Sequence, residues 1–254
     1  MTYHVSMKQT VTFIPGMFSP FINTFLGTYF IDQMEYLDHK KIEYGLMPVH
    51  TEGNLSKNAA IIKKSVENQS NLIAFCHSKG GIDLLEALIK YPELRGKFQK
   101  IIFMQCPFFG TPIADIAVTN QVSSHITRLL LGGLFGGDIH AISELTQLKR
   151  QDYMNKHRKE IDQILNDIDI LCIGSSKQPE PGRFDSILKI PRDLMRYAFS
   201  RPNDGMIPTD SAFIPGANKF IFSDLDHASA VIRLTPQNFD RKSFSQNIFE
   251  GRLL

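Results

Sequence analysis

Ser78 is the residue around which chemistry would be built. It lies in FCHSKGG, Phe75–Gly81, where an apolar run ends and a helical pattern begins. A serine at a strand–turn–helix junction is held in a strained turn that lifts its Oγ above the sheet edge. The residues two before and two after it must be small, because their backbones pass close to the turn. Here they are Cys76 and Gly80. Glycine is usual at both positions, so Cys76 is a departure. A tight turn with a capping serine would carry the same letters. His77 adjoins Ser78, but consecutive strand residues point to opposite faces. It therefore reads as a packed or polar-satisfied histidine rather than as a base.

A serine hydroxyl needs a general base, and the base needs an orienting carboxylate. Of the eight histidines, only His227, in DLDHAS, follows the last strand candidate at loop distance. For the carboxylate, Asp204 in RPNDGMIP sits on an Asn-Asp-Gly turn signal after the strand candidate Ile168–Ile173. Asp210, Asp224, Asp226 and Asp169 compete with it. Asp224 and Asp226 read as solvated loop residues, and Asp169 as part of a strand.

The tetrahedral oxyanion needs fixed donors. One candidate is the N–H after the nucleophile, that of Lys79. The other is the N–H of Met17 in FIPGMF, where Gly16 lets the backbone turn after the first strand. An ordinary Pro-Gly turn is the plainer reading of FIPGMF. The Lys79 ammonium, mildly disfavoured near a helix N-terminus, reads either as solvated or as attracting an acidic substrate group.

These residues need a scaffold that brings loop ends together. Val11–Ile14, Ile42–Val49, Leu72–Cys76, Ile101–Met104, Ile168–Ile173 and Lys219–Phe222 are short strand candidates. Most are continuously apolar, which suggests strands buried on both faces, hence a parallel sheet. Helical patterns at about 58–67 and 80–90 fall between them. Such alternation predicts βαβ units in a doubly wound α/β domain. Two segments are too long for simple crossovers. A cap or lid is expected at about 113–165, with an apolar stretch Ile126–Phe135 and a polar helical stretch Ile142–Ile161. A second insertion is expected at about 175–203. In it, Lys189, Arg192, Arg196 and Arg201 alternate with Leu188, Ile190, Leu194 and Phe199. That pattern suits either a solvated face or contact with an anionic membrane surface.

In this order, the motifs resemble the α/β-hydrolase lipases and esterases, with the bacterial triacylglycerol lipase group the nearest in pattern. IPGMF (Ile14–Phe18) resembles their oxyanion loop, and HSKGGIDLLEAL (His77–Leu88) their elbow and following helix. CPFFGTPIAD (Cys106–Asp115), AISELT (Ala141–Thr146) and NDGMIPTDSAFIPG (Asn203–Gly216) resemble the loop in which those lipases often carry a Pro…Gly-Ser/Thr…Ala-Asp pattern, a cap helix and the loop carrying the acid. The resemblance implies an α/β-hydrolase fold, a mostly parallel central sheet flanked by helices with an inserted helical cap. It implies nucleophile Ser78, acid Asp204, base His227, and oxyanion donors Met17 and Lys79. Some of these lipases bind calcium through an Asp two positions after the histidine. Ser229 stands there, so calcium is not carried over.

Other classes are disfavoured. Lys plus Arg is 28 against 26 acidic residues, so there is no basic footprint for nucleic acid. There is no H-E-x-x-H, paired C-x-x-C, P-loop or G-x-G-x-x-G, and no cofactor or metal is expected. Cys76, Cys106 and Cys172, each near a strand-candidate end, read as buried, inert thiols in a reducing compartment, with a redox switch or metal site the alternative if those strands are neighbours. MTYHVSMKQT lacks a leader pattern, so a cytoplasmic protein is expected, with export by another route left open. The expected activity is serine hydrolysis of carboxylic esters of small molecules or lipids, with transient membrane contact through the cap. Acyl transfer, phospholipid or thioester cleavage by the same triad, and a catalytically silent binding scaffold, are the alternatives.

Overall fold

The computed structural model describes residues 9–17, 28–119, 139–179, 188–233 and 239–253. Six strands form one sheet: β1 (Thr10–Ile14), β2 (Glu43–Leu46), β3 (Leu72–His77), β4 (Phe98–Met104), β5 (Asp169–Ser175) and β6 (Asn218–Phe222). Their spatial order is β2-β1-β3-β4-β5-β6, and every neighbouring pair is parallel. The continuous apolar runs have the expected cause. All six residues of β3 are buried, because helices cover both faces of the sheet.

Side chains alternate between two cores. Ile14, Ala74, Cys76, Ile101, Phe103, Ile170 and Cys172 face one core. There they meet α2 (Leu55–Val66), α3 (Lys79–Lys90) and α7 (Arg158–Asp167). Val11, Phe13, Ile73, Phe75, Ile102, Met104, Leu171 and Ile173 face the other, against α1 (Ile31–Lys40) and α9 (Arg241–Phe249). Each fully buried aliphatic or Phe side chain contributes about 1.5–3 kcal/mol, so the central strand ends are held firmly.

The chain runs from β1 outward to β2, then returns across β1 to β3 and continues outward the other way. The switch point therefore lies between the carboxyl ends of β1 and β3. Open parallel sheets form their sites at such a crevice. Gly16 and Ser78 follow these two ends directly.

Between β4 and β5 lie α4 (Pro112–Thr119), α5 (Ile139–Ser143), α6 (Gln147–Lys156) and α7. The polar stretch 142–161 is thus broken rather than continuous. Thr146 is extended (φ −63, ψ 145), and the first N–H of α6, that of Gln147, donates to Asp115 Oδ1 at 3.0 Å. Met154, Ile161 and Ile164 join the core on the α3 side, so this end of the 113–165 interval packs as sheet-covering helix. The apolar stretch Ile126–Phe135 lies outside the described residues. Helix α2 begins three residues before the pattern's start because Asn54 caps it, its side chain accepting from Ser56 N–H at 2.8 Å. In the second insertion, α8 (Lys189–Phe199) forms as the amphipathic pattern predicts.

Candidate active site

Ser78 has φ 53 and ψ −128, a conformation that L-residues rarely adopt. It bridges β3 and α3, and its N–H donates to the Met104 carbonyl at 3.0 Å. The small neighbours have direct steric causes. A Cβ on Gly80 would lie 2.4 Å from the Ile14 carbonyl oxygen and 2.6 Å from that of Pro15. A Cβ on Gly16 would lie 2.7 Å from Ser78 Cβ. The β1 loop therefore packs directly on the serine turn, which sets Met17 beside it.

Cys76 is tolerated in place of the usual glycine because its side chain turns into the core on the α3 side. Across the sheet, Ile14, Cys76, Phe103 and Cys172 form one register row. Cys76 and Cys172 are thus two strands apart, roughly 9–10 Å, beyond disulfide reach. Cys106 fills the space beside Gly81, where a Cβ would lie 2.3 Å from its Sγ. All three thiols are free and buried. Burial pushes Cys76 and Cys106 up, and Cys172 to about 12.

Asp204 and His227 meet. His227 Nδ1–H donates to Asp204 Oδ2 at 2.9 Å, and both side chains are nearly buried. The other carboxylate oxygen accepts from the N–H groups of Met206 at 2.9 Å and Ile207 at 2.7 Å. The Asn-Asp-Gly turn thus clamps its own aspartate. The His227 N–H also donates to the Asp204 carbonyl at 2.9 Å, so the two loops are joined by main chain as well. The His227 ring lies against that of His77, with centroids 4.6 Å apart. This brings the histidine loop to the residue next to Ser78.

The other carboxylates are engaged elsewhere. Asp169 pairs with Lys100 at 3.1 Å, Asp210 with Arg201 at 2.5 Å, and Asp224 with Lys177 at 3.0 Å. Asp226 is not the solvated residue its loop position suggests. It is buried, and its Oδ1 accepts from the N–H groups of Ala228 at 3.0 Å and Ser229 at 2.7 Å. It shapes the turn that carries His227.

Lys79 also departs from expectation. Its side chain is neither solvated nor directed at an anionic ligand. It is fully buried and donates to Asp83 Oδ1 at 2.8 Å and Oδ2 at 3.0 Å, one helical turn on. Asn58 Nδ2 donates to the same carboxylate at 3.0 Å. Burial nevertheless pushes the Asp83 carboxyl up to about 6. Three of the four basic residues in the 189–201 stripe are engaged within the chain. Arg192 is buried, Lys189 pairs with Asp193 at 3.2 Å, and Arg201 pairs with Asp210.

Three residues around the site have no sequence signal that marks them: Tyr29, His77 in its actual bonding role, and Gln105. His77 Nε2 lies 2.9 Å from the His227 carbonyl oxygen and 3.2 Å from Gln105 Oε1. Its Nδ1 is hydrogen-bonded to the Tyr29 hydroxyl. A left-handed Gln105 (φ 53) directly after β4 marks this cluster only once the backbone is known. Beside Met17, the buried residues Leu55, Ile82, Ala114, Ala117, Ile142 and Leu145 form a separate apolar cluster. Among the described residues, no group of three or more His, Cys, Asp or Glu is placed to hold a metal ion.

The parallel sheet, the elbow at its switch point and the loops above it define the α/β-hydrolase fold. Solved structures agree. The chain is similar to Bacillus licheniformis lipase BlEst2 in its mature form, with 17% identity over 97% of this chain and 92% of that one, at a TM-score of 0.75. It is similar to the metagenomic carboxyl esterase MGS0156, with 20% identity, 95% and 70% coverage and a TM-score of 0.70. Carboxylesterase CesB (YbfK) from Bacillus subtilis also matches, at 10% identity, 96% and 84% coverage and a TM-score of 0.53. No family model matches the sequence, and no curated protein matches it.

Proposed function

We propose that this protein is a serine hydrolase of carboxylic esters, with Ser78 as nucleophile, His227 as general base and Asp204 as its orienting acid. The observation that carries this reading is the buried Asp204–His227 hydrogen bond, with the His227 ring against that of His77, the residue next to Ser78. Asp204 occupies Nδ1, which leaves Nε2 to take the Ser78 proton. Ser78 Oγ then bonds to the ester carbonyl carbon. The negative oxygen is held by the N–H groups of Met17 and Lys79, the latter at the positive end of α3. As the C–O bond breaks, His227 returns its proton to the departing alcohol. Water, deprotonated by the same nitrogen, adds to the acyl carbon; as the bond from that carbon to Ser78 Oγ breaks, Nε2 returns the proton to Oγ and the carboxylic acid leaves. Asp204 keeps the tautomer and stabilises the imidazolium throughout.

The apolar cluster that Met17 packs on supports an apolar acyl group as the preferred substrate part. The lipase and esterase names of the similar structures support the same class. Ser78→Ala is expected to abolish both p-nitrophenyl ester turnover and labelling by a fluorophosphonate probe. Wild-type protein that is folded but unlabelled would instead be a silent scaffold. An acyl-length series from acetate to palmitate, with phospholipid and thioester substrates and added alcohols, assigns the substrate and separates hydrolysis from acyl transfer.

A further inference from the structure

Tyr29, His77 and Gln105 are buried around His227, yet the chemistry above uses none of them. Their hydrogen bonds fix one another's polarity. Gln105 Nε2 donates to the Asp226 carbonyl at 3.0 Å and to Ser175 Oγ. A carbonyl oxygen only accepts, so this amide orientation is set, and Oε1 is the end that faces His77. Two acceptors therefore converge on His77 Nε2: Gln105 Oε1 at 3.2 Å and the His227 carbonyl at 2.9 Å. That nitrogen must carry a proton.

The ring is neutral as well. Burial, and then the neighbouring His227, hold its pKa well below the ordinary histidine range. A neutral ring protonated on Nε2 has a bare Nδ1, which can only accept. The group on Nδ1 is the Tyr29 hydroxyl, so Tyr29 donates. Burial pushes the Tyr29 phenol up, so its proton stays in place. The Tyr29 oxygen in turn accepts from the Gly16 N–H at 3.4 Å. Donors thus run in one direction, from Gly16 through Tyr29 and His77 to the carbonyl of His227. Hydrogen bonds aligned in this way polarise one another.

We propose that His77 is a positioning residue: a neutral imidazole, protonated on Nε2, that holds the main chain of His227 and ties it through Tyr29 to the oxyanion loop at Gly16. The proposal rests on the triad reading. Its logic is geometric. The oxyanion loop and the base come from opposite ends of the chain, yet a working site must hold them within about 0.5 Å of the productive arrangement. Asp204 fixes the ring of His227 from one side. His77 fixes its backbone from another, and the same ring reaches the loop that carries the oxyanion donor. A rigid ring that donates at one end and accepts at the other suits this task. An aliphatic residue would leave the His227 carbonyl and the Tyr29 hydroxyl without these partners.

The test uses the full chain with p-nitrophenyl butyrate. His77→Leu is expected to lower kcat by about 10–100-fold, as for a displaced catalytic group, with KM within about twofold of wild type. His77→Gln, whose amide N–H can still reach the His227 carbonyl, is expected to recover most of that loss. Tyr29→Phe is expected to lower kcat in wild type and to add nothing in the His77→Leu background, because both act through one chain of bonds. Nitrogen-15 NMR of the His77 ring at pH 7 is expected to show one neutral tautomer protonated on Nε2. That signature also covers a His77→Leu chain that does not fold. An unchanged kcat in Tyr29→Phe and His77→Gln alike, with His77→Leu also unchanged, overturns the proposal. So does an effect on KM alone, strict additivity, or an imidazolium or Nδ1–H spectrum. A wild-type Ser78 that takes no fluorophosphonate label overturns the hydrolase reading. A labelled Ser78 with unaffected His77 variants overturns only this inference.

Discussion

Asp204→Asn isolates the electronic part of the Asp204–His227 contact from its structural part. Asp204 Oδ1 accepts two main-chain bonds, from Met206 and Ile207, and an amide oxygen can accept both. Only the bond from His227 Nδ1 to Oδ2 changes. The Asn NH2 group placed there donates, so Nδ1 must accept, and the ring proton moves to Nε2. A protonated Nε2 cannot take the Ser78 proton. A wrong tautomer of this kind costs about 10⁴ in rate in the serine-protease triad, and the same fold-change is expected here in kcat/KM at pH 7. That is about 5.5 kcal/mol of transition-state stabilisation. The fold should lose much less. One charge-assisted hydrogen bond is worth about 1.5–3 kcal/mol, and the two turn bonds persist. The chain has no tryptophan, so folding is followed by circular dichroism rather than indole fluorescence. Activity is followed with p-nitrophenyl butyrate. Asp226→Asn is the control, because it also carries an aspartate-to-amide change next to His227 but keeps its Oδ1 caps. A folded Asp204→Asn within tenfold of wild type would overturn the role given to Asp204. A loss in Asp226→Asn as large as that in Asp204→Asn would refute it equally.

Gly16→Ala places a Cβ 2.7 Å from Ser78 Cβ and 3.1 Å from the Tyr29 hydroxyl oxygen, so the β1 loop that carries the proposed donor Met17 must shift. Its kcat should fall by about 10²–10³ with modest change in KM, as when an oxyanion donor is displaced. Gly80→Ala meets backbone oxygens on two sides and should lose about 1–3 kcal/mol of stability, read from urea unfolding. Lys79→Met leaves Asp83 buried without its cation and should cost about 3–5 kcal/mol, whereas Lys79→Met with Asp83→Leu should be neutral to stabilising. The sign of the pH effect follows from Asp83, whose folded pKa of about 6 lies above the ordinary aspartate value near 3.8. The folded state binds that proton more tightly, so this contribution is fully present below about pH 4 and lost as pH rises through 6. Without Lys79 the carboxyl is raised further, so the Lys79→Met deficit should be larger at pH 8 than at pH 5 by urea unfolding. Finally, Cys76, Cys106 and Cys172 should react with a thiol reagent such as DTNB only after unfolding, since their thiolates are suppressed by burial.

Much of the scaffold was legible because its signals are local. Apolar runs of strand length, the turn residues that end them and the helical period between them depend on neighbours a few positions away. They locate all six strands, two helices flanking β3 and the turn that holds Ser78. The Asp204 turn was legible for the same reason, since Asn-Asp-Gly both makes the turn and clamps the Asp204 carboxylate with N–H groups two and three residues on. Small residues near Ser78 were legible as a requirement, though not their cause, which is the close passage of the β1 loop over the elbow.

The partner of each buried polar group, by contrast, came from tertiary packing. Asp226 reads as solvated and Lys79 as solvated or facing an acidic substrate group, and both are buried. Asp226 turns its carboxylate onto its own loop, and Lys79 pairs with Asp83 beneath Asn58 from another helix. His77 next to Ser78 was open to any buried role until Tyr29, Gln105 and a carbonyl 150 residues away converged on its ring. Hydrophobic period and turn chemistry are properties of a short segment. Hydrogen-bond satisfaction in a low-dielectric interior depends on which distant segments share that interior. The sheet order, which crosses β1 to place β3 beside it, makes that choice.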